Sequence, residues 1–258
     1  MMPFISFLIF IFIFGTLVGS FLNVCIYRLP RKESIVFPRS RCPSCYRTLG
    51  FFDLIPIFSH LFLKGRCRYC GGKISPFYSL VEALTGIIFL LVVFNFGLSL
   101  SALALIVFSS LLIVIFFIDL KHKIIPNTLT YPGIVFGLGV SLLRPPLLVN
   151  FLNSLSALIL GGGFFLLIAF VSRGGMGGGD IKLAGMMGAY LGRKDLILAL
   201  FLSFALGALV GLFLMLLKVK SRKDYLPFGP SLVVGTFLVL FWGEELWQWY
   251  YQMSGLRF

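Results

Sequence analysis

From residue 3 to residue 27 the chain carries no charged side chain, and this run limits what it can fold into more than any other feature. About 20 apolar residues in a helix cross a bilayer core of about 30 Å. In lipid every backbone polar group must be satisfied within the chain, so repeated runs of this kind demand helices. A cleavable signal peptide would open on positive charge and close on small residues, whereas this run opens with MMPF, which favours a spanning helix.

Further apolar runs follow. Residues 78–118 hold a single charge, Glu82, and NFGLSLS turns the chain midway, so they read as two spans. Residues 128–143 make a fourth, closed by RPP at 144–146, since proline removes a backbone donor. Residues 151–172, 181–191, 195–217 and 230–243 complete the series. The 181–191 run, with LAGMMGAYL, is short and rich in small residues, which suits tight packing among neighbours rather than a full crossing. The expected fold is an all-α polytopic membrane protein of about eight transmembrane segments. The acidic and aromatic EELWQWYYQ near the end reads as an interfacial anchor.

A net charge of +13 raises nucleic acid as a partner, but position explains the charge better. Ten Lys and Arg lie between Arg28 and Lys73, two at Lys121 and Lys123, two at Arg173 and Lys182, and four between Lys218 and Lys223. These fall in alternate loops, and only Arg144, Arg193, Lys194 and Arg257 fall opposite. Basic loops stay in the cytoplasm. The expected domains are a first transmembrane helix over 1–27, a cytoplasmic four-cysteine domain over 28–77 and a transmembrane core over 78–258, with both termini outside and no call for nucleic acid.

Cys42 and Cys45 in CPSC and Cys67 and Cys70 in CRYC are two C-x-x-C hooks separated by 21 residues. Four thiolates so spaced suit a tetrahedral structural zinc in a small zinc-ribbon-like domain. Two disulfides are the alternative, disfavoured in a reducing cytoplasm. With four thiolates the metal keeps no open position for water, so it would not be the catalyst. Cys25, inside the first span, has no hook and reads as a small buried residue.

Asp119 closes LLIVIFFID and Asp180 follows GMGGG, each at the cytoplasmic end of a span. An ionisable group at membrane depth costs about 2.5–3.5 kcal/mol on insertion scales, so both require a reason. If they meet, one carboxyl holds a proton while the other is ionised, a pair able to activate water against a peptide carbonyl. Alternatively each caps a helix or pairs with His122, Lys121 or Lys182. Gly177, Gly178 and Gly179 would give an extended substrate room beside Asp180 and allow backbone shapes closed to other residues, though small residues also serve helix packing. His60 and His122 are the only histidines, neither lies in a nucleophile motif, and no H-E-x-x-H occurs.

Taken in order, GSFLNVCIYRLP (19–30), RCPSC (41–45), DLIPIFSHLFLKGRCRYCGGKIS (53–75), YSLVEALTG (78–86), IDLKHKIIPNTLT (118–130), GMGGGDIKLAGMMGAYLG (175–192) and LPFGPSL (226–232) resemble the type IV prepilin peptidases over nearly the whole chain. These are bifunctional leader peptidases and N-methyltransferases of the GxGD aspartyl membrane protease family. The resemblance implies that Asp119 and Asp180 are the catalytic aspartates. It implies prepilin or pseudopilin substrates of type IV pilus and type II secretion systems, cut on the cytoplasmic side of the bacterial inner membrane. It implies methylation of the new N-terminal residue from S-adenosylmethionine, and the four cysteines accompany that second activity. Lys121 departs from the family, which commonly places an acid after the first aspartate.

A cationic methyl donor or basic leader calls for acidic partners, and Glu33, Asp53 and Glu82 are the candidates. Glu82, alone in an apolar run, is the cofactor-binding choice, with a salt bridge to a loop arginine as its alternative. Two rival functions stand beside the peptidase: a proton- or ion-coupled transporter using the two aspartates, and a membrane scaffold whose zinc loop docks a partner. Transporters tend to carry internal repeats, and none is evident by inspection.

Overall fold

A computed structural model describes residues 2–173, 175–219 and 226–254. Lys220, Arg222, Lys223 and Arg257 of the charge count lie outside the described residues. The regular structure is helical: α1 (Met2–Arg28), α2 (Phe58–Phe62), α3 (Phe77–Phe96), α4 (Leu100–His122), α5 (Asn127–Ser141), α6 (Leu147–Val171), α7 (Gly178–Leu216) and α8 (Gly229–Ser254). Five of these, α1, α3, α4, α6 and α7, are long and apolar enough to span a membrane. Along them large apolar side chains such as Phe10, Phe94, Leu167, Phe170 and Phe201 stand exposed. A soluble surface would not tolerate apolar exposure on that scale, so the chain is a multi-pass membrane protein.

Five such helices and about eight expected segments differ for local reasons. The 15-residue α5 is short for a span. The runs 181–191 and 195–217 join in the 39-residue α7. An unbroken helix of that length would be roughly 58 Å long, nearly twice a bilayer core. It is interrupted at Gly192, whose φ of 75° and ψ of 179° few L side chains adopt. Asn153 of α6 holds the break, its Oδ1 accepting from the Arg193 backbone amide at 3.1 Å and Nε at 3.2 Å. In α8 the apolar 230–243 stretch runs on into the acidic and aromatic tail, with a non-helical residue at Trp242.

The chain divides into two compact units, Met1–Val114 and Ile115–Phe258. In the first, α1 packs along α3. A Cβ on Gly15 would stand 2.8 Å from Gly86 Cα, and one on Gly19 would stand 2.8 Å from Glu82 Cα, so absent side chains set this approach. In the second unit α7 packs on α5, α6 and α8. The small residues of LAGMMG act as expected there: Leu183 to Gly188 are all buried, and Gly188 lies directly against the Ala157 backbone of α6.

Candidate active site and metal centre

Asp119 lies three residues before the end of α4. The helix stops after His122, where Lys123 turns to a φ of 56° while its amide still donates to the Asp119 carbonyl at 2.8 Å. Asp180 sits in the first turn of α7, after Gly177 at the N-cap. Both belong to the second unit, both are buried, at 3% and 5% exposure, and their carboxyls are near enough for their charges to interact. The sequence left open whether they meet; the structure puts the Asp119 charge within electrostatic reach of Asp180.

Each also faces a helix N-terminus, Asp180 that of its own α7 and Asp119 that of α8, where unpaired amides and the helix dipole favour negative charge. The Gly177 amide faces the Asp180 carboxyl, so the helix-capping alternative holds in part for that residue. The Gly229 amide, first in α8, faces the Asp119 carboxyl, yet Asp119 Oδ2 is left without a well-formed hydrogen bond. A Cβ on Gly229 would stand 2.5 Å from that oxygen. The alternative of cationic partners fails among the described residues. Lys182 donates to Asn127 Oδ1 at 2.7 Å and lies over the Tyr131 ring, Lys121 is exposed, and neither described salt bridge involves these aspartates.

The glycines before Asp180 divide in their surroundings. Gly177 has φ −71° and ψ 139°, a shape open to any residue, and neither Gly178 nor Gly179 has positive φ. Their conformational freedom is therefore not used. A Cβ on Gly179 would meet Ile125 Cβ at 2.9 Å, whereas one on Gly178 would meet nothing within 4 Å. Gly179 serves packing, and Gly178 opens onto free space.

The cysteine hooks form two near-identical knuckles. In the first, Cys42 N donates to Arg47 O, Tyr46 N donates to Cys42 O, and Arg41 bridges Thr48. In the second, Cys67 N donates to Gly72 O, Gly71 N donates to Cys67 O, and Arg66 bridges Lys73. Tyr46 and Gly71, each following the second cysteine of its hook, both take positive φ, 59° and 68°. This is a local repeat invisible to inspection, because backbone bonds rather than side-chain identities carry it.

All five cysteines are free thiols, and Cys25 is buried. The four Sγ atoms of Cys42, Cys45, Cys67 and Cys70 lie within 4.8 Å of one another and could hold a metal ion. Cys42 Sγ and Cys70 Sγ are 3.9 Å apart, close to the roughly 3.8 Å of a tetrahedron with metal–sulfur bonds of about 2.3 Å. The Ser44 amide, 3.4 Å away, donates to Cys42 Sγ, and the Tyr69 amide, 3.5 Å away, donates to Cys67 Sγ. Burial pushes the Cys42 thiol up, but the Cys45 and Ser44 amides and the neighbouring sulfurs outweigh it and bring it down to about 6. The Gly72 amide lowers the Cys70 thiol, and the crowd of other sulfurs raises it further, to about 11.

Glu82, 7% exposed on α3, accepts the Ile57 amide at 2.8 Å through Oε2 and also faces Ser20. No arginine pairs with it among the described residues. Asp53 instead takes Arg68, at 2.7 Å. Sequence reasoning passed over Gly229, Ile125 and Asn23. Only Asn23 had a signal of its own, as a polar residue within the first apolar run.

The fold and site define a helical multi-pass membrane protein with a coupled pair of buried aspartates and a four-thiol cluster able to hold metal. Residues 13–96 match the family described as the bacterial peptidase A24 N-terminal domain, and residues 106–212 match the type IV leader peptidase family. The chain is 38% identical to the prepilin leader peptidase/N-methyltransferase of Bacillus subtilis (strain 168), over 95% of its own length and 98% of the relative's. It is 33% identical to the protein of that name from Aeromonas salmonicida (strain A449), over 93% and 92%. The Myxococcus xanthus (strain DK1622) protein of that name is 40% identical over 81% of this chain and 64% of the relative. No solved structure matches. The chain belongs to the type IV leader peptidase family, an enzyme family.

Proposed function

We propose that this protein cleaves the basic leader from type IV prepilins or pseudopilins and then N-methylates the new N-terminal residue. The carrying observation is the coupled, buried pair of Asp119 and Asp180, each beside a helix N-terminus. Two buried carboxyls whose charges interact do not both ionise readily, so the proposed pair holds one proton. The ionised member takes a proton from water as the water oxygen attacks the scissile carbonyl. The protonated member donates to the carbonyl oxygen. Collapse of the tetrahedral species breaks the C–N bond, and the departing nitrogen takes a proton, leaving a leader carboxylate and a free amine. No covalent enzyme intermediate is needed.

The substrate backbone must leave its helix to expose that carbonyl, which a glycine before the cut eases. Gly178, with open space where a Cβ would lie, is the proposed place of approach, flanked by Gly177 and Gly179. The relatives are named for leader cleavage and methylation rather than transport, which favours the peptidase over a transporter.

We assign zinc to Cys42, Cys45, Cys67 and Cys70 as a structural ion, and S-adenosylmethionine as methyl donor, with Glu82 facing it. The donor supplies an electrophilic methyl group on a positively charged sulfur. The proposed domains are 1–27 as the first membrane helix, 28–77 as the cytoplasmic metal domain and 78–258 as the peptidase core. The proposed setting is the bacterial inner membrane with both termini outside, in type IV pilus assembly or type II secretion.

The test is mass spectrometry of a co-expressed prepilin, which reads the cut and the added methyl together. Asp119→Asn and Asp180→Asn should each abolish cleavage in a folded protein. Normal cleavage by either variant would refute the aspartyl assignment.

A further inference from the structure

The first unit holds a cavity of about 430 Å³ beneath the cysteine knuckles, and its lining includes Asn23, Tyr27, Tyr46, His60, Tyr78 and Glu82. Its volume lies in the range of small-molecule sites, and its lining mixes aromatic faces with a few convergent polar groups, as such sites do. We propose that this cavity is the methyl-donor site and that Glu82 selects the positively charged sulfonium of S-adenosylmethionine over the neutral thioether product. The assignment rests on the methyltransferase reading above.

Two buried acceptors on facing helices point to a ligand rich in donors and positive charge. Asn23, 5% exposed on α1, donates through Nδ2 to the Tyr78 carbonyl at 2.9 Å, which fixes its amide. Its Oδ1 is then left buried without a partner. A buried acceptor left unmade costs about 1–3 kcal/mol, so a ligand N–H reaching it would recover that loss. Glu82 receives neutral donors, the Ile57 amide and Ser20, and has His60 nearby, but forms no ion pair among the described residues. A buried carboxylate without a paired cation is costly, and a cationic ligand supplies the charge.

The cations around the cavity are already engaged. Arg28 donates to the Ser34 and Pro38 carbonyls at 2.8 and 2.7 Å, and Arg68 is held by Asp53. Arg41 lies over the Tyr46 ring. Glu82 is thus the buried acid left to meet a ligand's charge, Glu33 being an exposed member of the lining. Tyr78 offers an aromatic face that suits both a flat base and a cation, while Arg31 and Arg41 already lie over the Tyr27 and Tyr46 rings.

Backbone strain marks the same place. Ile57 donates its amide to Glu82 from φ 62° and ψ −53°, an outlying conformation for a β-branched residue. Strain of this kind persists only where the surroundings impose it, and it gathers at ligand sites. Gly19, against Glu82 Cα, lets α1 approach closely enough for Ser20 and Glu82 to meet. S-adenosylmethionine carries a sulfonium, an ammonium and an aromatic amine. Its product keeps the last two and loses the sulfonium charge, so a carboxylate at the sulfur would loosen the product after transfer.

The test uses the purified full-length protein in detergent and isothermal titration with each ligand alone. Wild-type protein should bind S-adenosylmethionine at least tenfold more tightly than S-adenosylhomocysteine. Glu82→Gln should weaken the sulfonium ligand tenfold or more and the thioether less than threefold, so the preference collapses. Asn23→Leu should weaken both alike. An unchanged preference in Glu82→Gln would overturn the proposal.

Ultraviolet cross-linking of labelled donor to the wild-type chain needs no variant to fold. Labelling within residues 20–28 or 78–82 supports the site, and labelling confined elsewhere overturns it. A peptide with a free N-terminal Phe, titrated alone, should bind more weakly than the donor, and the reverse order would give Glu82 to the substrate's ammonium instead. If wild-type protein binds no donor and methylates no such peptide, the methyltransferase reading fails as well. If it methylates the peptide while Glu82→Gln keeps its preference, only the cavity assignment fails.

Discussion

Gly229→Ala should disable leader cleavage without unfolding the protein. A Cβ at this position would stand 2.5 Å from Asp119 Oδ2, 3.1 Å from its Cγ and 3.3 Å from Ile125 Cδ1. Ordinary contact begins near 3.4 Å, so the Asp119 carboxyl must withdraw by about 0.9 Å or α8 must shift. Misplacing a reacting group by about 1 Å costs on the order of 100-fold in rate, equivalent to roughly 2.7 kcal/mol of barrier. The effect on stability should be smaller, because the new methyl sits at a helix end and meets the tip of a side chain that has no well-formed bond at Oδ2 to lose.

The assay follows cleavage of a purified prepilin by gel mobility under single-turnover conditions, with thermal unfolding in the same detergent. The expected result is a rate 30-fold to 100-fold lower with stability within about 1 kcal/mol of wild type. Gly139→Ala in α5, where a Cβ would meet nothing within 4 Å, is the control and should cleave as wild type. A Gly229→Ala protein that cleaves within threefold of wild type would show that the contact does not hold the Asp119 carboxyl, and the reasoning would fail.

Gly178→Ala adds a methyl into open space, so unfolding should be unchanged while cleavage falls if substrate passes there; full activity would remove Gly178 from the substrate path. Gly235→Ala on α8 drives a methyl into Ser203 and to 2.8 Å from the Ala199 carbonyl of α7, and overpacking of this kind should cost about 1–3 kcal/mol in unfolding experiments. Purified protein should carry close to one zinc per chain by elemental analysis. Thiolates hold the metal and protons compete for them, so zinc should be kept at neutral pH and lost on dialysis into acid, with the Cys42 thiol, lowered to about 6, among those protonated there. Replacing Cys42 and Cys67 together should impair methylation more than cleavage, and equal loss of both would point to a general folding role.

Where local chemistry is decisive, the sequence was legible. Uncharged runs announced α1, α3, α4 and α6, because lipid leaves the backbone no other way to satisfy its hydrogen bonds. The cysteine hooks announced a four-thiol cluster able to hold metal because each C-x-x-C pair sets two thiols side by side. Asp119 and Asp180 stood out because acids at membrane depth need a cause. The break in α7 at Gly192 falls in the gap between the 181–191 and 195–217 runs, which the sequence read as separate segments.

Tertiary packing decided the rest. Gly229 lies 110 positions after Asp119 in the chain, and only the seating of α8 lays its backbone against that carboxyl. Gly178 and Gly179 are identical as letters, yet one faces open space and the other Ile125. Asn23 and Glu82 become partners in one cavity because glycines bring α1 and α3 into close contact. The sequence by itself marked the longest apolar helices and singled out the side chains proposed to carry chemistry, since solvation and spacing act along the chain. Only the tertiary structure decided which of those side chains meet and which stay unpaired, because helix packing joins residues far apart in sequence.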